Sequence, residues 1–263
     1  MNRIEAKFIE LEKNKKKAFV NYITAGLPDM DHCAKLIHTM EEAGLDILEL
    51  GVPFSDPCAD GPVIQDASYR SILQGTTIFN TFDLVARVRG EGVQMPIVFM
   101  LYYNTIVHYG VEEFVEKCRE VGVDGLIVPD CPFEEQGDLN AAIGDRDETI
   151  LLQLVAPVSK QRIAKILDGA RGFVYCVSSM GVTGQAADFH REVISYLQDV
   201  KAHAKIPVLM GFGIRTAADI EPMKDIIDGA IVGSYVINLL EENKYDLDVA
   251  RDYIQTFQKE MNA

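Results

Sequence analysis

Short runs of hydrophobic residues recur along the chain, and a longer amphipathic stretch follows each of them. Runs of strand length that are almost continuously apolar are typical of parallel strands buried on both faces. We therefore predict eight strands, at residues 18–24, 46–51, 96–102, 125–129, 150–154, 172–177, 206–210 and 229–233.

The stretches between these runs carry apolar residues at the spacing of a helix, so that each could bury one face. Ser159 before KQRIAKIL and Thr216 before AADI mark two further helix starts. We predict helices over residues 2–14, 31–43, 111–121, 189–203, 235–240 and 247–261.

Eight strand–helix units in 263 residues predict an α/β fold, a closed (β/α)8 barrel of the TIM type with an extra N-terminal helix and a short helix after strand 8. We expect one domain, residues 1–263, because no linker divides the chain. A doubly wound open sheet is the alternative, but the turn after the first strand lacks the Gly-x-Gly-x-x-Gly pattern. Long insertions at residues 52–75 and 178–189 would lie at the rim where barrels build active sites.

The chain is strongly acidic, because 25 Lys and Arg residues against 40 Asp and Glu residues give a formal charge of −15. A field of this sign repels phosphate backbones, so we expect no nucleic-acid partner. The same field would repel a small phosphorylated substrate, which would need a local site that overcomes the global sign.

Other patterns bear on compartment and cofactors. No window approaches 18 apolar residues without a charge, and no apolar stretch follows the first basic residues, so we expect no membrane span and no secretory signal. Five scattered cysteines without a Cys-x-x-Cys pair predict reduced thiols in the cytoplasm. The five histidines lack the spacing of metal ligands, so we expect no metal.

The second predicted strand carries a carboxylate that could take part in catalysis. Alternation along the strand places Ile47, Glu49 and Gly51 on one face, so Glu49 would point into the barrel. Burial would raise its pKa and let it act as acid and base, whereas a purely structural acid is an equal alternative. Asp60, in the following ADGP turn, is the loop acid best placed to pair with it, although loop acids are more often solvated.

Glycines cluster at the ends of three consecutive predicted strands. Gly184 follows the sixth strand, Gly211 and Gly213 follow the seventh, and Gly233 and Ser234 follow the eighth. Loops at these barrel positions, together with the N-terminus of a short helix, commonly bind phosphate through backbone N–H groups. We predict a phosphate site there, and tight turns alone are the weaker alternative.

Aromatic residues are predicted at the same rim, close to strand ends: Tyr22, Tyr102, Tyr175 and Phe212. A flat apolar substrate would fit between such rings. For any single ring, however, packing in the core is the better interpretation.

Segments along the whole chain resemble the tryptophan synthase alpha subunit family. The most specific is LELGVPFSDPCADGPVIQ, which covers the second strand and its insertion, and NYITAGLPD, GVTGQ, GFGI and IVGS match in order. The resemblance implies a (β/α)8 barrel that cleaves indole-3-glycerol phosphate to indole and glyceraldehyde 3-phosphate.

Family roles carried over by position fall on residues of this sequence. The resemblance implies that Glu49 is the catalytic acid–base, that Asp60 is the second catalytic carboxylate and that Tyr175 lies beside them. The phosphate would bind at Gly184, Gly213, Gly233 and Ser234, and the indole would lie among Tyr22, Met100, Tyr102, Thr183 and Phe212.

The resemblance also implies a partner. Indole would pass through a tunnel to a beta subunit that holds pyridoxal phosphate, in an alpha2-beta2 complex, while the alpha subunit would hold no cofactor. Residues 52–60 and 104–110 would face the beta subunit, and closure of residues 178–189 would accompany activity. Ser179 departs from the pattern, because much of the family has an arginine there that orders this loop.

Three other functions stay open. A stand-alone lyase that releases free indole would have the same catalytic pair. A non-catalytic phosphate-binding barrel subunit would have no need for both Glu49 and Asp60. A sugar-phosphate isomerase or epimerase would more often carry a Lys, His or metal ligands at the strand ends, and none is well placed here.

Overall fold

The computed structural model describes residues 1–177, 186–211 and 213–263, with the backbone alone for residues 186–191. Its sheet has nine parallel strands in the described residues, β1 to β9 in chain order. They are Ala18–Thr24, Ile47–Gly51, Ile97–Met100, Gly125–Ile127, Ile150–Leu151, Gln153–Val155, Val174–Val177, Val208–Gly211 and Gly229–Val232.

The strands form a closed ring. Their hydrogen-bonded order is β5-β4-β3-β2-β1-β9-β8-β7-β6, and only Leu152 separates β5 from β6 along the chain. The Leu152 N–H donates to the Leu126 carbonyl at 2.9 Å, so this residue still belongs to the wall of the barrel. β5 and β6 are therefore two halves of one strand, and the predicted (β/α)8 barrel is confirmed.

Eleven α-helices surround the ring in the described residues, α1 to α11 in chain order. They are Arg3–Lys13, Met30–Glu42, Pro62–Leu73, Ile78–Gly90, Tyr103–Tyr109, Val111–Val121, Gly137–Ile143, Ile163–Leu167, Ala186–His203, Ser234–Glu242 and Leu247–Met261. Three 3-10 segments, Phe133–Glu135, Pro157–Ser159 and Ala217–Met223, complete the connections.

The predicted terminal helices are confirmed. Asn2 caps α1 by accepting a hydrogen bond from the Ile4 N–H, and the helix ends before Asn14. Other helices differ from the prediction: α4, α5 and α7 lie outside the predicted ranges, and the insertion after β2 is not all loop, because α3 occupies its second half. Pro62 begins that helix, a position where the missing proline N–H costs nothing.

Helix α1 closes the amino end of the barrel. Its side chains Ile4 and Phe8 pack against inward-facing strand residues such as Val20 and Val98. The Asn2 side chain donates to the Asp124 carbonyl at 2.8 Å, which ties the helix to the sheet. Helix α1 thus fills the amino end of the barrel, and a site can open only at the carboxyl ends of the strands.

Two further observations concern the chain as a whole. No helix in the described part of the chain is both long and apolar enough to cross a membrane. All five cysteines are free thiols, and four of them are buried.

Candidate active site

Strand β2 carries Glu49 into the barrel. Leu48 and Leu50 pack in the outer layer against the helices, whereas Ile47 belongs to the cluster inside the ring. Glu49 pairs in register with Tyr22 of β1 and with Val98 of β3. The alternation predicted from the sequence is therefore confirmed for this strand.

The carboxyl group of Glu49 is held in a setting that favours its protonated form. The residue is 2% exposed, and its Oε2 atom has no hydrogen-bond partner among the described residues. Burial raises the pKa of Glu49 to about 8, the negative charge of Asp60 adds to the rise, and the Tyr175 hydroxyl opposes it. A carboxyl group with this pKa can both donate and accept a proton near neutral pH.

Asp60 lies in the loop between β2 and α3 and is held by Tyr102. The Tyr102 hydroxyl donates to Asp60 Oδ2 at 2.9 Å and accepts from the Ala59 N–H at 2.9 Å. The Tyr102 ring stacks on Phe54 with the ring centroids 5.0 Å apart, which fixes the position of that hydroxyl. Burial raises the pKa of Asp60 to about 6, and the hydrogen bond from Tyr102 limits the rise.

The two carboxyl groups therefore differ in their preferred charge. Between about pH 6 and pH 8, Glu49 retains its proton while Asp60 has lost its own. Two neighbouring acids with separated pKa values are the arrangement that lets one act as an acid while the other stays ionised.

Two glycines make room for the tyrosines beside Glu49. A Cβ on Gly51 would collide with the Tyr22 hydroxyl, and a Cβ on Gly211 would lie 2.6 Å from the Tyr175 ring. Gly211 lies in β8, so it supports Tyr175 rather than a phosphate turn, which differs from its grouping in the sequence prediction. The sequence indicates both positions, since each glycine is the last residue of a short apolar strand.

Both carboxylates line one cavity of about 460 Å³ at the carboxyl ends of the strands. This volume suits a small organic molecule. Eight of the predicted site residues contribute to its wall: Tyr22, Glu49, Asp60, Met100, Tyr175, Gly213, Gly233 and Ser234.

The side of the cavity formed by the last strands has the features of an anion site. Gly213 has a φ of 74°, a conformation that favours glycine. Gly233 directly precedes α10, and Ser234 is the first residue of that helix. The first turn of a helix leaves N–H groups without partners inside the helix, and these attract negative charge.

Comparison with known proteins decides the family. The model of the family described as tryptophan synthase alpha chain matches residues 8–263. The chain belongs to the tryptophan synthase alpha chain family. The tryptophan synthase alpha chain of Lachnospira eligens is 58% identical, and the alignment covers 100% of both chains.

Solved structures agree with the family assignment. Tryptophan synthase subunit alpha from Legionella pneumophila superposes with a TM-score of 0.90 at 32% identity, covering 99% of this chain and 98% of that one. A chain of Mycobacterium tuberculosis tryptophan synthase superposes with a TM-score of 0.88 at 31% identity, covering 100% and 99%.

Membership in the tryptophan synthase alpha chain family gives the activity. The protein is a lyase that cleaves indole-3-glycerol phosphate to indole and glyceraldehyde 3-phosphate in L-tryptophan biosynthesis, and it works with a beta subunit. Alpha chains need no cofactor, since pyridoxal phosphate belongs to the beta subunit. Within the described ranges, no group of three His, Cys, Asp or Glu residues is arranged to hold a metal ion.

Four residues discussed from the family pattern remain without a structural description. Thr183, Gly184 and Phe212 lie outside the described residues, and so does Ser179, the position at which the resemblance leads us to expect arginine. Tyr102 is described but is absent from the cavity wall; it is buried, and its hydroxyl donates to Asp60.

The structure adds cavity residues that sequence reasoning missed, including Ile64, Arg215 and Asn238. Ile64 and Asn238 lie on helices α3 and α10, and their inward direction follows from how those helices pack on the barrel. The sequence could have indicated Arg215 as a site residue, since it is a basic residue directly after the GFGI segment of an acidic chain.

Proposed function

We propose that Glu49 is the acid–base group that cleaves indole-3-glycerol phosphate and that Asp60 is the carboxylate that stabilises the charge developing on indole. The observation that carries the proposal is that one cavity is lined by two carboxyl groups in unlike settings, Glu49 almost fully buried and Asp60 held by the Tyr102 hydroxyl, which gives them pKa values of about 8 and about 6. A barrel that only bound phosphate would have no use for a buried carboxyl oxygen without a partner.

The reaction requires a proton before the carbon–carbon bond breaks. Cleavage directly from the aromatic indole would leave a negative charge on carbon C3, whereas protonation at C3 produces an indolenine cation that accepts the bonding electrons. Protonated Glu49 donates this proton and then takes the proton of the C3′ hydroxyl as the bond to C3 breaks. The group thus ends the reaction in the protonation state in which it began.

Asp60 contributes as an anion. Positive charge grows on the indole nitrogen when C3 is protonated, and an ionised Asp60 that accepts a hydrogen bond from the N–H stabilises that charge. The interaction is stronger in the transition state than in the bound substrate, so it accelerates the chemical step. Tyr102 holds the Asp60 carboxylate through a hydrogen bond, and a hydrogen bond with Tyr175 lowers the pKa of Glu49.

The remaining site residues are proposed as binding groups. The phosphate would lie at the amino end of α10, where Gly213, Gly233 and Ser234 line the cavity. The indole would lie near Tyr22 and Met100. The roles of Gly184, Thr183, Phe212 and Tyr102 in substrate binding rest on the family pattern.

The test is indole release from indole-3-glycerol phosphate by Glu49→Gln and Asp60→Asn variants. Each substitution keeps the shape of the side chain and removes its acid–base or ionic function, so each should lower kcat by about 100-fold or more. Glu91→Gln, an exposed surface change, is the matched control and should keep wild-type activity. Near-normal indole release by a folded Glu49→Gln protein would contradict the assignment of Glu49 as the acid–base group.

We further propose where the beta subunit binds. Phe79 and Val107 are large apolar side chains that are 65% and 53% exposed. Phe79 also lines a shallow cavity of about 340 Å³ with Phe54 and Tyr109, beside the segments 52–60 and 104–110 that the family pattern assigns to this contact. An added beta subunit should activate indole release by Phe79→Ser less strongly than by wild type, and activation equal to that of wild type would contradict this surface.

We also propose that residues 1–263 form one domain and that it functions in the cytoplasm. Helices from both ends pack on the barrel: Ile4 of α1 lies in the inner cluster, and Phe257 of α11 stacks on Phe19 of β1 with ring centroids 4.2 Å apart. Five free thiols suit a reducing compartment.

A further inference from the structure

The cavity contains a cation that backbone phosphate binding does not require. Arg215 lines the cavity, and it is the single basic residue among the described lining residues, which also include the acids Glu49 and Asp60. A chain with a formal charge of −15 repels a phosphorylated substrate, so a cation at this place changes the local balance of charge.

The backbone of Arg215 is anchored from both sides. Its N–H donates to Asp219 Oδ2 at 2.9 Å, and its carbonyl accepts from the Tyr253 hydroxyl at 2.8 Å. The residue follows Gly213 by two positions and the end of strand β8 by four, on the side of the barrel that leads into the proposed phosphate site. The start of the side chain is therefore fixed beside that site.

The guanidinium group of Arg215 has no internal partner in the part of the chain that the structure describes. Among the described side chains, no carboxylate lies within ion-pair distance of it, although most other arginines pair with Asp or Glu. The neighbouring carboxylate of Asp219 instead accepts hydrogen bonds from the Thr216 N–H at 2.8 Å and hydroxyl at 3.2 Å. Arg215 is exposed and lies between this cavity and a neighbouring surface cavity, so its side chain is accessible to a ligand.

We propose that Arg215 binds the phosphate group of the substrate and supplements the backbone amides near Gly213 and Ser234. The inference rests on the proposed function and adds a specificity-determining residue to it. Guanidinium groups form charge-assisted hydrogen bonds with phosphate oxygens, and these are stronger than bonds between neutral groups.

The order of the strands fits a substrate with one aromatic and one anionic end. Glu49 lies on β2 and Arg215 follows β8, and the ring runs β2-β1-β9-β8 between them. The acids and the cation thus occupy different sectors of the cavity. The dianionic phosphate would lie near Arg215, away from the two carboxyl groups that would repel it.

The test compares Arg215→Gln, Arg215→Lys and Arg146→Gln. Arg146 is exposed, lies between α7 and β5 at the opposite end of the barrel and pairs only with surface acids, so its variant loses the same charge far from the cavity. We expect Arg215→Gln to raise KM for indole-3-glycerol phosphate by about tenfold with kcat within about twofold of wild type, because one charge-assisted contact is lost. Arg215→Lys should recover part of the loss, and Arg146→Gln should match wild type.

A binding measurement separates this inference from the proposed function. Calorimetric titration with glyceraldehyde 3-phosphate should show about tenfold weaker binding to Arg215→Gln than to wild type, with indole binding unchanged and a smaller difference at high ionic strength. Unchanged binding and KM in Arg215→Gln, or an equal effect of Arg146→Gln, would overturn the role of Arg215 while leaving Glu49 and Asp60 untouched. Failure of Glu49→Gln to lower kcat would overturn the proposed function even if Arg215→Gln weakens phosphate binding.

Discussion

A buried carboxyl group such as Glu49 lowers the stability of the fold whenever it ionises, because its charge loses the solvation of water. The side chain is 2% exposed and one oxygen has no partner among the described residues, so little in the protein compensates for that loss. Catalytic sites often carry this kind of cost, and a substitution that removes the function can then stabilise the protein.

The Glu49→Gln variant should therefore be more stable than wild type at alkaline pH. The folded-state pKa of about 8 lies above the ordinary value of 4.5, so the stability that protonated Glu49 contributes is complete below about pH 4.5 and is lost as the pH rises through 8. Glutamine stays neutral, and the gain at about pH 8 should be on the order of 2–4 kcal/mol.

Thermal unfolding of both proteins at about pH 5 and about pH 8 checks this expectation. The Tm of Glu49→Gln should exceed that of wild type by more at the higher pH. Glu91→Gln is the control, since hydrogen bonds from His38 and Arg87 lower the pKa of Glu91 and no such gain is expected. A Tm difference for Glu49→Gln that does not change with pH would contradict the proposed burial cost.

The sequence predicts single residues well where a regular element determines their direction. Alternation along one strand was enough to point Glu49 inward. The partnership of Asp60 with Tyr102 was not predictable in the same way, because the residues are 42 positions apart and meet only when the barrel closes. The sequence pattern does not single out Arg215, because backbone amides at a helix N-terminus are enough to bind a phosphate.

Among the elements, strands were predicted better than helices. Each strand is buried on both faces, so its hydrophobic run is visible in the sequence. Helix α3 was missed because its buried positions are Ala67, Ser68 and Ser71, which are too small and polar to give an apolar stripe. The split between β5 and β6 at Leu152 was also invisible, because the hydrophobic run continues through it.

Strand β2 provides a test of how closely the site is packed. A Cβ on Gly51 would collide with the Tyr22 hydroxyl, so Gly51→Ala should displace that ring, destabilise the fold by about 1–3 kcal/mol and raise KM. Thermal unfolding and indole-release kinetics measure the two effects. Gly90→Ala, at the end of α4 where an added Cβ meets open space, should leave both unchanged or raise the Tm slightly. Equal behaviour of the two variants would show that Gly51 is not required for packing.

At the scale of the whole molecule, the barrel is closed at the amino ends of its strands and open at their carboxyl ends, so the active site can form only at the carboxyl ends. Helix α1 fills the amino end, and the cavity collects residues from the carboxyl ends of strands across the ring. The formal charge of −15 seemed to oppose a phosphorylated substrate. Backbone amides at α10 and Arg215, which has no ion-pair partner among the described residues, supply local positive potential that a net-charge count does not reveal.

The account depends most on the opposite protonation states of Glu49 and Asp60 in the free enzyme. The pH dependence of kcat/KM for indole-3-glycerol phosphate cleavage measures them most directly, because it reports the essential groups of the unbound protein. Activity should fall below about pH 6 as Asp60 gains a proton and above about pH 8 as Glu49 loses its own, which gives a bell-shaped profile. A rate that continues to rise above pH 8, or that shows no acid limb near pH 6, would contradict the assignment of these two roles.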